Sequence, residues 1–401
     1  MRVLFASPFL SYHGHIKRIG ALVAESMADA GMDLTVMGFP LTYDLLPQGG
    51  RLRYISVQDG LSEKARLRIE RCRQRFGNVW LFVVETFVVQ FLSLKFALRN
   101  RFSVVYIADV EPWLLIPALF VSGALRKGLP VVGFMSFLFN VKTSMQRQPW
   151  YSRIRSRLNY WAVQYLPGVI DIVHDSRYCL PLYNSKHADR IQIVREGYCR
   201  LIAAPSQQES RSLLGLPAGR RILLLFGLAS VGKGADLLFE ALAGVPSTFD
   251  VCIAGKTGGE NMPAWGYENV ADKSWLGHMH VVSRYLSEEE RTRYFASCDA
   301  VVLPYRLGFR SASGNFRDAV SYGKAIIVSD QYLMGEMVGK YDLGIRFKPD
   351  DVDDLRRALL EFAQKPETWF RGIEERSRAV VQEYSWERVG LSYRELFERI
   401  S

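Results

Sequence analysis

The stretch from Asp299 to Asp330, DAVVLPYRLGFRSASGNFRDAVSYGKAIIVSD, packs two strands, a polar turn and a helix into 32 residues. Ala300 to Pro304 is a short apolar run that is typical of a buried parallel strand. Phe316 to Tyr322 predicts a helix, because the next residue is a glycine that would end it. This order of elements predicts an α/β domain with a parallel sheet.

The turn between the strand and the helix carries Ser313, Gly314 and Asn315 where the helix should begin. Backbone N–H groups at a helix start lack intrahelical partners, and the positive end of the helix dipole lies there as well. Such a turn favours an anion such as a phosphate. Ser and Asn also cap helices that bind nothing, so the turn alone leaves both interpretations open.

A second loop of this kind lies in residues 221–242, RILLLFGLASVGKGADLLFEAL, where Gly227 and Lys233 separate an apolar strand from a helix. The loop nearly matches a P-loop, whose lysine is followed by the Ser or Thr that binds magnesium. Gly234 occupies that position here, which disfavours a nucleoside triphosphatase. Lys233 can still act as a point charge toward a diphosphate.

Four segments of the C-terminal half resemble the donor-binding domain of GT-B glycosyltransferases, in particular the retaining family 4, or group 1, enzymes. They are residues 223–242, 249–255, 284–306 and 311–330. The tail YSWERVGLSYRELFERI, residues 384–400, resembles the family's final helix, which returns to the first domain. The likeness covers roughly residues 190–401 well and the N-terminal half loosely.

The resemblance implies a set of donor-binding residues, and two of them, with a third residue, are expected to be catalytic. The donor-binding set is Gly14, Gly227, Lys233, Arg306, Ser313, Gly314, Asn315, Phe316 and Asp318. The catalytic set is Lys233, Arg306 and Asp109, with Lys233 and Arg306 facing the leaving diphosphate. No metal ligand and no bound cofactor are expected, and a nucleoside diphosphate sugar would be the donor substrate.

Several positions depart from the family pattern. Of its two glutamates separated by seven residues, the second falls on Asp318, which would bind the donor ribose, and the first falls on Arg310. The loop can also register so that Ser311 or Ser313 takes the place of the first glutamate. Ser230 stands where the family pairs an arginine with its lysine.

The start of the chain predicts a first Rossmann-like domain, because a strand at Val3 to Ala6 is followed by a glycine loop and a helix. Gly14 matches the glycine of the family's opening loop. We interpret His13 and His15 in that loop as ordinary hydrogen-bonding residues. Asp109 and Glu111 stand near a position where the family commonly has a histidine, and a carboxylate there could orient an acceptor or simply end a strand.

Another family histidine is replaced by Phe134 or Ser136.

The predicted architecture is α/β, with two Rossmann-like domains that face a cleft. The predicted boundaries are an acceptor-side domain at 1–196, a linker at 197–219, a donor-binding domain at 220–375 and a returning C-terminal helix at 376–401.

The formal net charge is +10, and basic residues concentrate in two N-terminal segments. These are Lys64, Arg66, Arg68, Arg71, Arg73 and Arg75, and then Arg147, Arg153, Arg155 and Arg157. No nucleic-acid-binding module accompanies them, so we expect no nucleic-acid partner. The apolar run at 79–98 predicts a helix that is buried or lies on an anionic membrane surface, and not a span, because Glu85, Gln90 and Lys95 interrupt it.

Five cysteines, Cys72, Cys179, Cys199, Cys252 and Cys298, are scattered without a C-x-x-C pair, which is typical of reduced thiols in the cytoplasm. No signal peptide precedes the first predicted strand. The chain is therefore expected in the cytoplasm, with the inner face of the membrane as a further location. Asp351, Asp353 and Asp354 imitate a D-x-D metal motif but more simply belong to the first turn of a helix.

The sequence thus predicts a glycosyltransferase that moves a sugar from a nucleoside diphosphate sugar to a hydroxyl acceptor, either a glycan or a lipid-linked glycan. By resemblance, the reaction would retain the anomeric configuration and need no metal. Two alternatives share the fold: a catalytically inactive nucleotide-sugar binder and a nucleotide-sugar epimerase.

Overall fold

The computed structural model describes residues 1–7, 15–38, 50–57, 63–108, 110–135, 150–183, 185–198, 205–227, 231–256, 266–310 and 313–401. These residues form two compact units. The first contains the described residues up to Glu196 together with Trp386–Ser401, and the second contains those of Gly197–Ser385.

The first unit is built on a seven-stranded parallel sheet in the order β3-β2-β1-β4-β5-β6-β7. Its elements are β1 (Arg2–Ala6), α1 (His15–Asp29), β2 (Asp33–Gly38), β3 (Leu52–Ser56), α2 (Glu63–Asn100), β4 (Val104–Ile107), α3 (Pro112–Ser122), β5 (Val131–Phe134), α4 (Trp150–Val163), β6 (Asp171–His174) and β7 (Ile191–Ile193). The chain reverses its direction of progress across the sheet between β1 and β4, which makes this the switch point of a doubly wound fold.

The two faces of this sheet carry separate layers of the core. Val3 and Phe5 pack on the side that holds α1, whereas Leu4 and Ala6 pack on the side that holds α2 and α3. Alternation along β1 produces this division, since successive side chains of a strand point to opposite faces. Covering both faces explains why strands such as β4 and β5 are buried along their whole length.

The apolar run at 79–98 lies in α2, whose carboxyl half packs into the core of the first unit. Val89, Leu94 and Ala97 of this helix are fully buried. Of the two predicted environments, the part of the run from residue 89 onward therefore takes the buried one. In the part of the chain that the structure describes, no helix is both long and apolar enough to cross a bilayer.

The second unit has a six-stranded parallel sheet in the order β10-β9-β8-β11-β12-β13. Its elements are α5 (Gln207–Leu214), β8 (Arg221–Phe226), α6 (Ala235–Ala241), β9 (Phe249–Ala254), β10 (Met279–Val282), α7 (Glu288–Ser297), β11 (Ala300–Leu303), α8 (Gly314–Ser321), β12 (Ala325–Ser329), α9 (Tyr332–Tyr341), β13 (Gly344–Phe347), α10 (Val352–Gln364) and α11 (Glu367–Glu383). The switch point here lies between β8 and β11.

The last helix, α12 (Trp386–Ile400), belongs to the first unit and packs on α1. Its backbone approaches α1 so closely that a Cβ at Gly390 would lie 1.9 Å from the carbonyl oxygen of Ser26. The hydroxyls of Tyr393 and Tyr106 lie 3.0 Å apart, which joins α12 to the sheet. Glycine at this crossing allows the apolar face of α12 to complete the core of the first unit.

The boundaries differ from the predicted ones at two places. The segment 197–219, predicted as a linker, contains α5, and Arg211 of this helix is buried with its guanidinium 2.7 Å from Asp299. The polar composition of the segment concealed this contact because Asp299 is 88 residues away. The return to the first unit begins at Trp386 instead of 376, since α11 still packs on α8 and α9 of the second unit.

The aspartates of the D-x-D pattern lie at the start of α10, as expected. Asp351 caps the helix by accepting a hydrogen bond of 2.9 Å from the N–H of Asp354. The Asp354 carboxylate in turn accepts from the N–H of Lys348, and Asp353 pairs with Arg356. All three side chains therefore have local roles in the helix start.

Candidate functional site

The loop after β8 and the start of α8 meet at the switch point of the second sheet. A Cβ built on Gly227 would lie 2.9 Å from the Nζ of Lys233 and 3.1 Å from the Nδ2 of Asn315. The φ angle of Gly227 is +109°, which only glycine adopts readily. Three residues that are 6 to 88 positions apart in the sequence therefore converge on one small space that a side chain would fill.

Lys233 carries the charge of this space. Burial lowers the pKa of its amine to about 8, because a desolvated ammonium is less stable than a hydrated one. None of the carboxylates that the structure describes forms an ion pair with it. An anion placed beside Gly227 would supply the missing opposite charge and stabilise the ammonium form.

The start of α8 forms the opposite wall. Ser313 caps the helix, and its hydroxyl accepts a hydrogen bond of 3.2 Å from the N–H of Asn315. The buried hydroxyl of Tyr305 lies 2.8 Å from the same Ser313 oxygen, which fixes the capping rotamer. The Asn315 side chain donates a 2.5 Å hydrogen bond to the carbonyl of Phe226 and so ties α8 to the end of β8.

Two further glycines let the surrounding turns approach this space. A Cβ at Gly234 would lie 1.9 Å from the carbonyl oxygen of Pro304, and one at Gly255 would lie 1.9 Å from that of Gly227. Both glycines also have positive φ angles, +64° and +142°. The Ser or Thr of a P-loop therefore cannot occupy position 234 in this backbone, which agrees with the prediction against a triphosphatase.

Arg306 has partners within the second unit. The guanidinium of Arg306 is 2.5 Å from the carboxylate of Asp236 and 3.0 Å from that of Asp350. The backbone N–H of Arg306 donates a hydrogen bond of 3.0 Å to the carbonyl of Gly232. The side chain thus joins α6 to the start of α10, and the backbone holds the loop of Lys233. A role of Arg306 at the diphosphate stays a prediction, and a donor would share its guanidinium with these two carboxylates.

Asp318 also has a partner within the protein. Its carboxylate pairs with the guanidinium of Arg291 on α7, and both side chains are about nine-tenths buried. Burial opposes the charge of Arg291, but the carboxylates of Asp318 and Glu288 outweigh this effect and raise its pKa. A donor ribose at Asp318 would therefore have to share the carboxylate with Arg291.

Phe316 and Arg310, two further residues of the predicted donor loop, have different surroundings: the Phe316 side chain lies in the core, and the Arg310 side chain lies against an aromatic ring. The Phe316 side chain is fully buried in the core, so its backbone N–H is the group that it could offer to a donor. The guanidinium of Arg310 lies 4.7 Å from the ring centre of Tyr332. Tyr332 has a φ of +46°, an uncommon conformation for a residue with a side chain.

Gln331 is a residue of this loop that the sequence analysis missed. Its side chain amide donates to the carbonyls of Tyr305 and Arg306 at 2.9 and 3.0 Å, and its oxygen accepts from the N–H of Gly308 at 2.9 Å. It therefore fixes the backbone between β11 and Arg310. A glutamine two residues after β12, at the carboxyl edge of the sheet, was the available signal.

Six of the residues that the sequence analysis named lie outside the described residues: His13, Gly14, Asp109, Ser136, Ser230 and Ser311. Glu111 is described, and it is buried. Its carboxylate accepts hydrogen bonds from Asn159 at 2.6 Å and from Arg155. Glu111 therefore joins α3 to α4, which favours the structural interpretation over an acceptor base. Phe134 is buried in the core.

Among the described residues, one group of side chains could hold a metal ion. The candidate ligand atoms of His174, Asp175 and Cys179 lie within 4.8 Å of one another, and all three residues are buried. Burial lowers the pKa of His174 to about 3, so its ring is neutral, and its Nε2 is hydrogen-bonded to the hydroxyl of Tyr183. This group follows β6 of the first unit.

Comparison with known proteins agrees with the geometry of the second unit. Residues 206–381 match the profile of the family described as Glycosyl transferases group 1. A glycogen synthase from Deinococcus deserti is 26% identical over 202 residues, which are 49% of this chain and 42% of that protein. The chain therefore spans about two-fifths of the length of this curated relative.

Two solved structures share the fold over the whole chain. Sucrose-phosphate synthase from Thermosynechococcus elongatus superposes with a TM-score of 0.70 at 16% identity, covering 100% of this chain and 98% of that one. Anabaena HepE in complex with UDP gives 0.65 at 13% identity, with 100% of both chains covered. Residues 206–381 are thus similar to the group 1 glycosyltransferases, within a chain that has the two-unit GT-B fold.

Proposed function

We propose that the protein is a glycosyltransferase that moves a sugar from a nucleoside diphosphate sugar to a hydroxyl acceptor. One observation carries the proposal: the Lys233 amine, the Asn315 amide and the first turn of α8 converge around Gly227 at the switch point of the second sheet. Doubly wound sheets bind their ligands at this place. The family match of the same residues supports a nucleotide sugar as that ligand.

The diphosphate of the donor would lie in the space beside Gly227. The Lys233 ammonium would face its negative charge, and the N–H groups of Gly314 and Phe316 in the first turn of α8 would supply further donors. Asp318 would contact the ribose, with Arg291 orienting the carboxylate. Arg306 would position the loop of Lys233, because its backbone N–H binds the carbonyl of Gly232 and its side chain pairs with Asp236 and Asp350.

Stabilising the leaving diphosphate is the main electrostatic task of such a transfer. When the bond from the anomeric carbon to the diphosphate oxygen breaks, negative charge accumulates on that oxygen. The Lys233 amine stabilises this charge from a desolvated position, where it acts more strongly than in water. We therefore propose a reaction that needs no metal, and retention of the anomeric configuration as in the enzymes that the sequence resembles.

The first unit would supply the acceptor side. Gly14 and Asp109 follow β1 and β4 in the sequence, the two strands at the switch point of the first sheet. We propose that Gly14 allows a close approach of backbone to substrate and that Asp109 orients the acceptor hydroxyl. The acceptor would be a glycan or a lipid-linked glycan, and the protein would act in the cytoplasm or at the inner face of the membrane.

An inactive nucleotide-sugar binder is the second candidate. It is favoured by Arg310, which places a cation where the family has a glutamate, and by Asp318, whose carboxylate Arg291 already holds. An epimerase would use the same donor site. The three functions differ in what happens to the sugar after binding.

Turnover of nucleotide sugars tests the proposal. UDP-, GDP- and ADP-linked sugars would be incubated with candidate hydroxyl acceptors in the presence of a chelator, and released nucleoside diphosphate would be measured. A transferase gives release that increases with acceptor, and proton NMR of the product reports the anomeric configuration. Isomerised donor without release would indicate an epimerase, and binding without either reaction an inactive binder.

A further inference from the structure

The outward face of α4 is apolar although it is exposed to solvent. Ile154, Leu158 and Trp161, with Tyr165 in the turn that follows the helix, are 47%, 39%, 60% and 58% exposed. Their spacing of four, three and four residues puts them on one stripe of a helix. The rings of Trp161 and Tyr165 lie 5.0 Å apart, so the stripe ends in an aromatic pair. We call these four residues the α4 stripe.

The opposite side of α4 fixes this orientation. Asn159, Ala162 and Val163 are buried, and Asn159 donates to the carboxylate of Glu111, the N-cap residue of α3, at 2.6 Å. Arg155 pairs with the same carboxylate. Because these contacts hold the inner face of α4, the helix cannot rotate the stripe into the core without breaking a buried hydrogen-bonded charge.

Positive charge borders the stripe. Arg153 and Arg157 are exposed, lie one helical turn apart and flank the stripe along one edge. From Trp150 to Ile170 the chain contains three arginines and no acidic residue. An apolar stripe with Trp and Tyr at one end and arginines beside it is the composition of a helix that lies in a membrane interface.

We propose that the α4 stripe docks the protein on a bilayer that contains anionic phospholipid. The aliphatic side chains and Trp161 would enter the headgroup region, while Arg153 and Arg157 would contact lipid phosphates. A second copy of the chain fits less well, because its own α4 segment, which has no acidic residue from Trp150 to Ile170, would offer these arginines no negative charge. This inference specifies the membrane part of the proposed function and does not depend on sugar transfer.

Vesicle sedimentation tests the inference on the full chain. We expect the protein to bind vesicles that contain both phosphatidylcholine and phosphatidylglycerol. Binding should fall steeply with added salt and should be weak with phosphatidylcholine alone. The double variant Arg153→Gln/Arg157→Gln should bind about twenty-five-fold more weakly, from about fivefold per arginine. Ile154→Ser/Trp161→Ser should lose binding at all lipid compositions.

The matched control is Leu213→Ser on α5, which removes an apolar side chain that is 56% exposed in the second unit. Its vesicle binding should equal that of the unchanged protein. Thermal melting and nucleoside diphosphate binding should be the same in all variants, which separates lost docking from misfolding and from a failure of the proposed donor site.

Two results would overturn the inference. One is vesicle binding that the α4 variants leave unchanged, which would assign docking to another surface. The other is absence of vesicle binding together with a dimer, seen by analytical ultracentrifugation, that Ile154→Ser/Trp161→Ser dissociates. In that case the occupant of the stripe is a second copy of the chain.

Discussion

The Lys233 amine lies beside Gly227 and Asn315, and in the described part of the chain it pairs with no carboxylate. We expect Lys233→Met to bind nucleoside diphosphate roughly tenfold to a hundredfold more weakly, because a hydrogen bond to a charged group contributes about 1.5–3 kcal/mol. Nucleoside without phosphate should bind both proteins equally. Calorimetry checks this prediction, and Lys340→Met is the control because Lys340 pairs with Glu383 on the surface.

The same substitution should not destabilise the fold. The pKa of Lys233 lies near 8 in the folded protein, below the usual lysine value, so folding disfavours its charge at neutral pH. Removing the charge should therefore leave the melting temperature unchanged or raise it. A large loss of stability in Lys233→Met would show that the lysine has a structural partner and would contradict its assignment to a ligand.

Diphosphate binding should depend on pH through this amine. Below about pH 8 the amine is protonated and attracts the anion, and above that pH it loses its charge, so affinity should fall. A bound anion stabilises the ammonium and raises its pKa, so the decline in affinity should extend to pH values well above 8. Titrations from pH 7 to pH 10 measure it, and a decline that persists in Lys233→Met would assign the dependence to another group.

Gly234 determines whether the loop after β8 can form its observed backbone. Its positive φ and the 1.9 Å approach to Pro304 lead us to expect that Gly234→Ala lowers the free energy of unfolding by about 1–3 kcal/mol and weakens diphosphate binding. Gly232→Ala is the matched control, since a Cβ there meets no atom within 4 Å. Urea unfolding compares the two variants, and equal stabilities would contradict this account of the loop.

The sequence predicted β8 and the start of α8 well, because local signals specify both. A glycine follows β8, a serine caps α8, and apolar runs mark β8 and β11. The partners of Arg306 and Asp318 could not be predicted in this way. Asp350 is 44 residues from Arg306, and Arg291 is 27 residues from Asp318, so only the packed fold brings these charges together.

At the scale of the whole molecule, the end of the chain completes the core of the first unit. Phe397 of α12 is fully buried and lies 6.1 Å from the ring of Tyr106 on β4. Phe397→Ala should destabilise the first unit by about 3–5 kcal/mol, because it leaves a cavity in this core. Leu391→Ala, at a half-exposed position of the same helix, should have little effect.

Differential scanning calorimetry would resolve the two variants of α12. We expect Phe397→Ala to shift the unfolding transition of the first unit further than that of the second, because α12 packs within the first unit. A shift of equal size in both transitions, or none at all, would contradict the assignment of α12 to the first unit alone.

Charge and exposure across the whole molecule could be predicted only in part. The basic segments were evident in the sequence, and the run at 79–98 gave no sign of which of its two environments it occupies. The α4 stripe escaped notice because its apolar residues alternate with arginines, and the pattern becomes clear only once Asn159 and Glu111 fix the inner face of the helix.

Calorimetric binding of UDP, GDP and ADP to the purified protein in the presence of a chelator tests the donor site most directly. The account predicts that one of the three binds with a Kd of roughly micromolar order, and that its nucleoside monophosphate binds more weakly. Binding that appears only when magnesium is restored, or no binding of any of the three, would contradict a donor site in which Lys233 and the start of α8 hold the diphosphate.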